Sequence, residues 1–354
     1  MQWKFWQPNE PLYVDDASTS FSQGGSLGTI GKSVGALVGV CLLISVVLAW
    51  WWDYEPDQFD VRDYAAMIAQ ANNENLVTGY VTTTTVIQIA NTLLTKRGGY
   101  LTNDAMPPGI WMDNLPEWEF GVLTALRDTA RIYRNDFSRS QSQSVEDPDL
   151  STAEGHFFFD SSSWILPRTE NEYREGIRLF ESYRARLADA EQTNAQFYAR
   201  ADNLQQWLAA METRLGSHSQ RLSASVGKRQ LNLDLAGDAA ASQATDAPQD
   251  TIIKTPWLEI DNVFFQARGF CWALLHMLNA LEHDFGDVLD KKTARVSLQQ
   301  IIRELEGTQG TLWSPMVLNG DGLGPLANHS LIMASYISRA NAAIIDLRTL
   351  LSQG

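Results

Sequence analysis

A run of twenty uncharged residues near the N-terminus constrains this chain more than any other feature. It extends from Ser33 to Trp52 and reads SVGALVGVCLLISVVLAWWW. As an α-helix, such a run spans roughly the 30 Å of a bilayer's hydrocarbon core. Three tryptophans close the run, where amphipathic rings favour the headgroup region, and Lys32 lies at its other end. The sequence therefore predicts a transmembrane anchor over residues 31–54.

A cleavable signal peptide is the main alternative to an anchor. The residues that precede the run include Glu10, Asp15 and Asp16, and they contain no basic n-region. Val47 and Ala49 provide only a weak cleavage site. These features favour an anchor that is retained in the mature protein.

Flanking charges predict how the anchor is oriented. Lys4 and Lys32 precede the helix and Arg62 follows it, and positively charged flanks are retained on the cytoplasmic side. We therefore expect residues 1–30 to form a disordered cytoplasmic tail. Residues 55–354 are expected to form a soluble domain on the outer side of the membrane, which is the periplasm if the source is a Gram-negative bacterium.

Three glycines in the anchor suggest that it associates with a second copy. Gly31, Gly35 and Gly39 recur every four residues and share one helix face. Small residues with this spacing let two helix backbones approach closely in a membrane. The same spacing also arises without any dimer, because glycine is common in membrane helices.

Composition excludes several classes of protein. The chain has 354 residues, of which 44% are hydrophobic, so it can bury a core. Its formal net charge of −15 argues against a nucleic-acid binder, which needs a basic face for phosphates. The two cysteines are Cys41 in the anchor and Cys271 far downstream, so the soluble part cannot form an internal disulfide.

Apolar spacing in the soluble part predicts an all-α fold. Residues 169–223 repeat apolar side chains every three or four positions, which predicts one long helix with a heptad seam. Residues 255–289 carry a second seam, expected to pack antiparallel against the first as a hairpin. Residues 227–250 are small and acidic and predict a flexible connector, and residues 330–351 predict a final helix. The expected architecture is an elongated helical bundle that follows one transmembrane helix.

Polar residues on the seams are the candidate site residues. Asn194 and His218 fall on seam positions of the long helix, where a buried polar side chain usually sets the register. His276, Asn279 and His283 form a polar stripe on the second seam helix. The two histidines of the stripe are about 10 Å apart along the axis, too far to share one metal ion.

The polar stripe has two interpretations. It is a candidate ligand-contacting or proton-sensitive site, or its histidines are ordinary hydrogen-bonded residues of the bundle. No metal site, no cofactor and no catalytic constellation is predicted from the motifs of the chain.

Several segments together resemble one known family. They are the aromatic tail MQWKFW, the end of the anchor AWWWDYEPD, the loop GGYLTNDAMPPGIWMDNLPEWEFGVL, the segment RNDFSRSQSQS and the tail HSLIMASYISRANAAIIDL. They resemble a proteobacterial family of inner-membrane proteins known only as a domain of unknown function. The resemblance covers nearly the whole chain and implies a setting in the bacterial envelope. It brings no catalytic residues with it.

Two functions are expected from these features. The first is a non-enzymatic envelope scaffold or adaptor, a single-pass membrane protein whose helical domain binds another protein or a second copy. The alternative is an envelope enzyme or small-ligand-binding domain whose site combines scattered polar residues such as His276 and His283. Spatial convergence of those residues distinguishes the two.

Overall fold

The expected all-α class is confirmed by the computed structural model, which describes residues 25–139, 145–192, 194–231, 250–314, 316–321 and 324–353. Within them the chain forms eleven α-helices and one two-stranded antiparallel ribbon. The helices are α1 (Gly25–Trp52), α2 (Val61–Asn72), α3 (Tyr80–Thr95), α4 (Asn114–Ile132), α5 (Pro148–Phe157), α6 (Thr169–Ala188), α7 (Ala201–Ser223), α8 (Ile260–Asp284), α9 (Gly286–Lys291), α10 (Arg295–Thr308) and α11 (His329–Ser352). The strands are β1 (Lys228–Leu231) and β2 (Asp250–Ile253).

Helix α1 contains the predicted anchor. Its stretch Gly31–Trp52 is the one described helix that is long and apolar enough to cross a membrane, and that stretch is not buried by the protein. A signal sequence would meet the same criterion of length and composition. Residues 25–30, which were expected to belong to a disordered tail, are helical, and residues 1–24 of that tail lie outside the described part.

The glycine face of α1 is open. A Cβ atom added to Gly31, Gly35 or Gly39 would meet no other atom within 4 Å. The geometry therefore leaves room for a second helix on this face, and self-association stays a prediction. The chain divides into two compact units between Val47 and Leu48, and the second unit, residues 48–354, is called the domain below.

Helix α8 is the centre of the domain. Twenty of its 25 residues are buried, which is the pattern of a helix covered on all sides. Helices α3, α4 and α10 pack against it, while α7 packs mainly along α11. The core therefore surrounds α8.

Helices α4 and α8 approach most closely at two glycines. A Cβ atom on Gly269 would lie 2.0 Å from the carbonyl oxygen of Trp118, and one on Gly121 would lie 2.0 Å from that of Gln266. Only glycine fits at such distances, because protein atoms are already in contact there. The close approach brings the rings of Trp118 and Trp272 to a centroid distance of 5.2 Å.

The prediction of one continuous helix over residues 169–223 is wrong. Helix α6 ends at Ala188 and α7 begins at Ala201. The break is stabilised by Phe197, whose ring packs 5.2 Å from that of Phe137 and 5.7 Å from that of Phe285. A regular helix through this segment would withdraw Phe197 from that aromatic cluster.

The prediction that Asn194 sets a seam register is also wrong, since it is exposed in the break between α6 and α7. The predicted hairpin between residues 169–223 and 255–289 is wrong as well, because α7 lies along α11 and α8 along α4. The apolar seam correctly identified the buried face of α7, which includes Leu204, Leu208 and Leu215. It did not identify the helix against which that face packs.

The remaining boundaries differ from the expected ones by short segments. The connector predicted over residues 227–250 begins in β1, which pairs with β2, and residues 232–249 lie outside the described part. The second seam is divided into α8 and α9. The final helix, predicted over residues 330–351, is α11.

The close contact of α4 and α8 makes a stability prediction. Gly269→Ala is expected to lower the free energy of unfolding by about 3 kcal/mol, because its methyl group requires the two helix backbones to separate. The matched control is Gly155→Ala in α5, where a Cβ meets no atom within 4 Å. That control should gain about 0.5 kcal/mol from a less flexible unfolded chain. Urea unfolding of the full chain in detergent measures both, and equal effects would contradict the prediction.

Candidate functional site

The polar stripe of α8 does not converge on a single site. His276 is buried, and its Nδ1 lies 2.7 Å from the carbonyl oxygen of Trp272. Its Nε2 accepts a hydrogen bond of 3.1 Å from the backbone N–H of Phe59. Because a backbone N–H can only donate, the imidazole proton lies on Nδ1 and points to Trp272. Both nitrogens of His276 are therefore engaged within the protein.

Burial keeps His276 neutral. Its ring stacks on that of Phe59 at a centroid distance of 4.1 Å. Removal from water lowers the pKa of His276 to about 4, and the hydrogen bond to Trp272 opposes this only in part. This histidine holds the chain segment that contains Phe59.

The other two stripe residues point elsewhere. Asn279 donates from Nδ2 to the carbonyl oxygen of Leu275, 2.8 Å away in its own helix. His283 is half-exposed, and its Nδ1 lies 3.2 Å from Oδ1 of Asp284. That hydrogen bond raises the pKa of His283, whereas partial burial lowers it less. Of the three residues, only His283 faces an open cavity.

The segment that follows α1 is held against the domain, and we call residues 53–60 the clamp segment. Glu55 Oε2 lies 2.6 Å from Nε of Arg268 in α8. The Arg268 guanidinium also donates from Nη1 to the carbonyl oxygens of Thr308, at 3.0 Å, and Gly310, at 2.8 Å. Burial raises the pKa of Glu55, and the charge of Arg268 opposes that rise. Arg268 thus joins the clamp segment, α8 and the end of α10.

Aromatic and cationic side chains extend this attachment to the end of α1. The Arg97 guanidinium lies 4.2 Å from the ring centroid of Tyr54 and 6.0 Å from that of Trp51. Trp52 packs on Gly98, where an added Cβ would lie 2.8 Å from its ring. Gly98 has a φ of +80°, a backbone conformation that suits glycine.

A buried ion pair fixes the loop that carries Arg97 and Gly98. Glu119 in α4 is fully buried and pairs with the buried ammonium of Lys96. Its carboxylate also accepts hydrogen bonds from the backbone N–H groups of Leu101, at 2.9 Å, and Thr102, at 2.8 Å. Burial raises the pKa of Glu119, and Lys96 opposes that rise. The contacts with Trp51 and Trp52 therefore rest on a rigid loop.

A polar cavity of about 440 Å³ lies beside His283 at the C-terminal end of α8. Glu282 lies there between Arg62, 3.8 Å away, and Arg295, 3.6 Å away. Asp284 accepts hydrogen bonds from the N–H and the hydroxyl of Thr82, at 2.8 and 2.6 Å. Both carboxylates are therefore engaged by protein groups. The half-exposed His283 imidazole and the exposed Arg62 guanidinium, although paired with Asp284 and Glu282, also line the cavity, as does Asp287. This arrangement suits binding of an anionic group rather than acid–base catalysis.

A second cavity of about 530 Å³ lies between α8, α11 and the segment that follows α10. Its lining is largely apolar and aromatic and includes Phe264, Trp313 and Tyr336. Two of its polar groups have protein partners. His329 Nδ1 accepts a hydrogen bond of 3.1 Å from the N–H of Leu318, and Arg268 is paired with Glu55 of the clamp segment.

Two buried groups are unsuited to chemistry. Burial raises the pKa of the Cys271 thiol to about 12, so the thiolate nucleophile is not formed at neutral pH. His218 is buried on α7 against the ring of Phe270 in α8, with centroids 4.9 Å apart, and burial lowers its pKa to about 4. Its role in the register of the seam stays a prediction. In the part of the chain that the structure describes, no group of three His, Cys, Asp or Glu residues could hold a metal ion.

Sequence reasoning missed Arg268 and Glu119, the residues that organise this region. Each places a charge on the apolar face of its helix, beside Phe264 and Cys271 in one case and Trp118 and Val122 in the other. A charge on a buried face indicates a partner, because an unpaired buried charge is very costly. That signal was present in the sequence, although the identity of the partner was not.

Comparison with known proteins identifies a family whose model matches most of the chain. The family model described as "Uncharacterized protein conserved in bacteria (DUF2333)" matches residues 26–354. The match confirms the resemblance of the chain to an uncharacterized bacterial family. No curated protein and no solved structure matches the chain.

The buried histidines predict a loss of stability in mild acid. The folded pKa values of His218 and His276, about 4, lie below their ordinary value of 6.5. Below pH 6.5 the unfolded chain takes up protons that the folded chain refuses, so stability falls as the pH drops from 6.5 towards 4. The loss on reaching pH 4 is on the order of 3 kcal/mol for each histidine.

The variant His276→Gln tests this origin, because glutamine keeps an acceptor for the Phe59 N–H and does not titrate. We expect the acid-induced loss of unfolding free energy between pH 7 and pH 5 to be clearly smaller in the variant. The measurement is denaturant unfolding at several pH values, with the difference between the two curves as the readout. If the variant and the native chain lose the same unfolding free energy between pH 7 and pH 5, the loss does not originate at His276.

Proposed function

The chain belongs to the DUF2333 family of bacterial proteins, and we propose that it is a membrane-anchored scaffold or adaptor of the cell envelope with no enzymatic activity. Helix α1 holds the protein in the inner membrane, with its N-terminus in the cytoplasm. The helical domain lies in the periplasm and binds another protein. The uncharged run Ser33–Trp52 and the basic residues Lys4 and Lys32 before it support this topology.

The observation that carries the proposal is the attachment of the clamp segment. An unattached linker of this length would let the domain reorient freely on the membrane. Here Glu55 is bound by Arg268, and Phe59 by His276. These contacts order residues 55–59 on the surface of the domain, and an ordered surface suits a scaffold that binds a partner.

The hydrogen bonds of His276 and Asn279 give less support to the enzymatic alternative. That alternative required His276 and His283 to converge with acidic residues on one site. His276 instead uses both nitrogens to hold the clamp segment and its own helix, and Asn279 bonds within α8. The side chains that suggested chemistry therefore have structural partners, and this supports a binding role.

The contacts of the clamp segment predict slow hydrogen exchange of its backbone amides. Arg268→Ala removes the partner of Glu55 and the hydrogen bonds to the carbonyl oxygens of Thr308 and Gly310 at the end of α10. Hydrogen exchange of the backbone amides of residues 53–60 should become at least about tenfold faster. The matched control is Arg178→Ala on the exposed face of α6, where Arg178 pairs with Glu175. Mass spectrometry of the full chain in detergent measures both variants.

Exchange of α4 in the same samples separates a local effect from general unfolding. Faster exchange in the clamp segment alone supports the clamp. Unchanged exchange of residues 53–60 in Arg268→Ala would show that Arg268 does not hold them.

The scaffold role is tested by copurification. The full chain carries a C-terminal tag, is crosslinked in its native cells and is solubilised in mild detergent. We expect one protein partner in a constant ratio to the chain, reduced several-fold in Arg268→Ala and unchanged in Arg178→Ala. A chain recovered without any partner would argue against a scaffold. Reporter fusions at the C-terminus test the orientation, and cytoplasmic reporter activity there would overturn it.

The cavity beside His283 favours one second candidate, a domain that binds a small anionic ligand. Arg62 and His283 face this cavity, and Glu282 keeps Arg62 near its wall. A screen of carboxylates and phosphates by thermal shift tests it. A stabilisation that Arg62→Ala abolishes and Arg178→Ala retains would favour ligand binding over the scaffold role.

A further inference from the structure

Exposed tryptophans lie at one end of the domain. The six described tryptophans that are exposed are Trp50, Trp51, Trp111, Trp164, Trp257 and Trp313. Large exposed apolar side chains accompany them in the same segments: Met106, Ile110, Ile165, Leu166 and Leu258. Burying such rings is the usual outcome of folding, so a concentration of exposed ones marks an interaction surface.

Three of these tryptophans, Trp50, Trp51 and Trp111, lie near the C-terminal end of α1. Arg97 contacts both Trp51 and Tyr54, so the loop after α3 lies there. The turn that contains Ile110 and Trp111 packs against this loop, because a Cβ atom added to Gly109 would overlap the side chain of Asp104. Trp111 is therefore joined to the loop that contacts Trp51 and Tyr54.

The loop before α6 adjoins the same region. The hydroxyl of Tyr100 donates to the carbonyl oxygen of Ser161 at 3.0 Å. The side chain of Asn103 donates to the carbonyl oxygen of Ser163 at 2.9 Å. These bonds fix Trp164, Ile165 and Leu166 beside the loop that begins at Arg97.

The N-terminal end of α8 lies on this side too. The clamp segment runs in the same direction as α8, because Glu55 binds Arg268 and Phe59 binds His276 further along. Residues before Glu55 are therefore nearer to the start of α8, which is preceded by Trp257 and Leu258. Trp313 lines the cavity formed by Phe264 and Arg268, also near the start of α8.

We propose that this surface lies in the headgroup region of the bilayer that α1 crosses. We call it the aromatic end; it comprises residues 50–54, 106–111, 164–166, 257–258 and 313. The occupant is indicated by continuity, because the apolar helix enters the domain at the aromatic end. Tryptophan and tyrosine rings favour the interface between lipid and water, where the ring is apolar and the N–H or O–H stays hydrated. The inference rests on the proposed role of α1 as a membrane anchor.

Charge distinguishes the type of lipid contact. Asp53, Glu55 and Asp57 lie beside the aromatic end, and Arg97 there is already stacked on Tyr54. The exposed cations that flank the surface, Arg168 and Lys254, are balanced by these carboxylates, so it has no excess of positive charge to attract anionic lipid. Contact therefore depends on the aromatic rings, and zwitterionic phosphatidylcholine suffices for it at any ionic strength.

Depth-dependent quenching in nanodiscs tests the proposal on the full chain. Single cysteines replace Trp257 or Trp313 (Trp257→Cys, Trp313→Cys) in a chain that also carries Cys41→Ser, and each is labelled with a fluorophore. Cys271 is fully buried, so the Cys41→Ser chain alone should take up no label. The discs contain phosphatidylcholine with a fraction of lipid that carries a nitroxide at the headgroup.

A matched control and a positive control are available in the chain. Val296→Cys is the matched control, because Val296 is 77% exposed, against 75% for Trp257. It follows Arg295, which lines the cavity at the other end of α8. Native Cys41, inside the apolar stretch, is the positive control for insertion, read with a nitroxide on the acyl chain.

We expect the headgroup nitroxide to reduce fluorescence at positions 257 and 313 by about twofold or more, with little change at position 296. The result should be the same in low and high salt. If Cys41 is quenched but positions 257 and 313 resemble position 296, the aromatic end does not contact lipid and the inference is overturned. If Cys41 is not quenched either, α1 does not insert into the bilayer. The prediction of a membrane anchor is then wrong, and so is the membrane part of the proposed function.

Coverage by a second copy is a separate outcome. Labels at positions 257 and 313 would then be insensitive to the nitroxide and would change emission with the number of chains in each disc. That result would also overturn the assignment of lipid as the occupant.

Discussion

The ion pair between Glu55 and Arg268 is the interaction on which the arrangement of this protein most depends. Arg268 is buried and Glu55 is partly buried, and such a pair is stable only when its remaining donors and acceptors are satisfied, because the ions have lost much of their hydration. The guanidinium meets that requirement by donating to the carbonyl oxygens of Thr308 and Gly310 as well as to Glu55. One side chain on the central helix thus holds the chain after α1 and the chain after α10.

Similar physics organises the other side of the same region. The carboxylate of Glu119 has no access to water and is neutralised by Lys96 and by the N–H groups of Leu101 and Thr102. Satisfying that single carboxylate fixes the loop on which Trp52 packs. Buried polar networks of this kind specify one geometry, because a partly satisfied network costs more than an apolar core. Both ionic centres lie where α1 joins the domain, and both support the proposed scaffold and the proposed membrane contact.

Helical periodicity identified buried faces well and helix partners poorly. Leu204, Leu208 and Leu215 face the core as their spacing indicated, yet α7 packs along α11 and not along the second seam helix. Phe197 fits the same apolar spacing, but its place in an aromatic cluster interrupts the helix there. Periodicity reports which face of a segment avoids water, whereas the choice of partner depends on shape, as at Gly121 and Gly269.

The sequence by itself determined that this chain is helical, belongs to a bacterial family and contains one apolar helix long enough for a bilayer. Those properties depend on local composition and spacing, which a linear chain displays directly. Only the tertiary structure decided that His276 holds Phe59 and that Arg268 holds Glu55, across more than 200 residues of sequence. It also joined the loop after α3 to the loop before α6, through the hydrogen bonds of Tyr100 and Asn103. The physical reason is that a hydrogen bond or a ring contact depends on distance in space, which residue order does not encode locally.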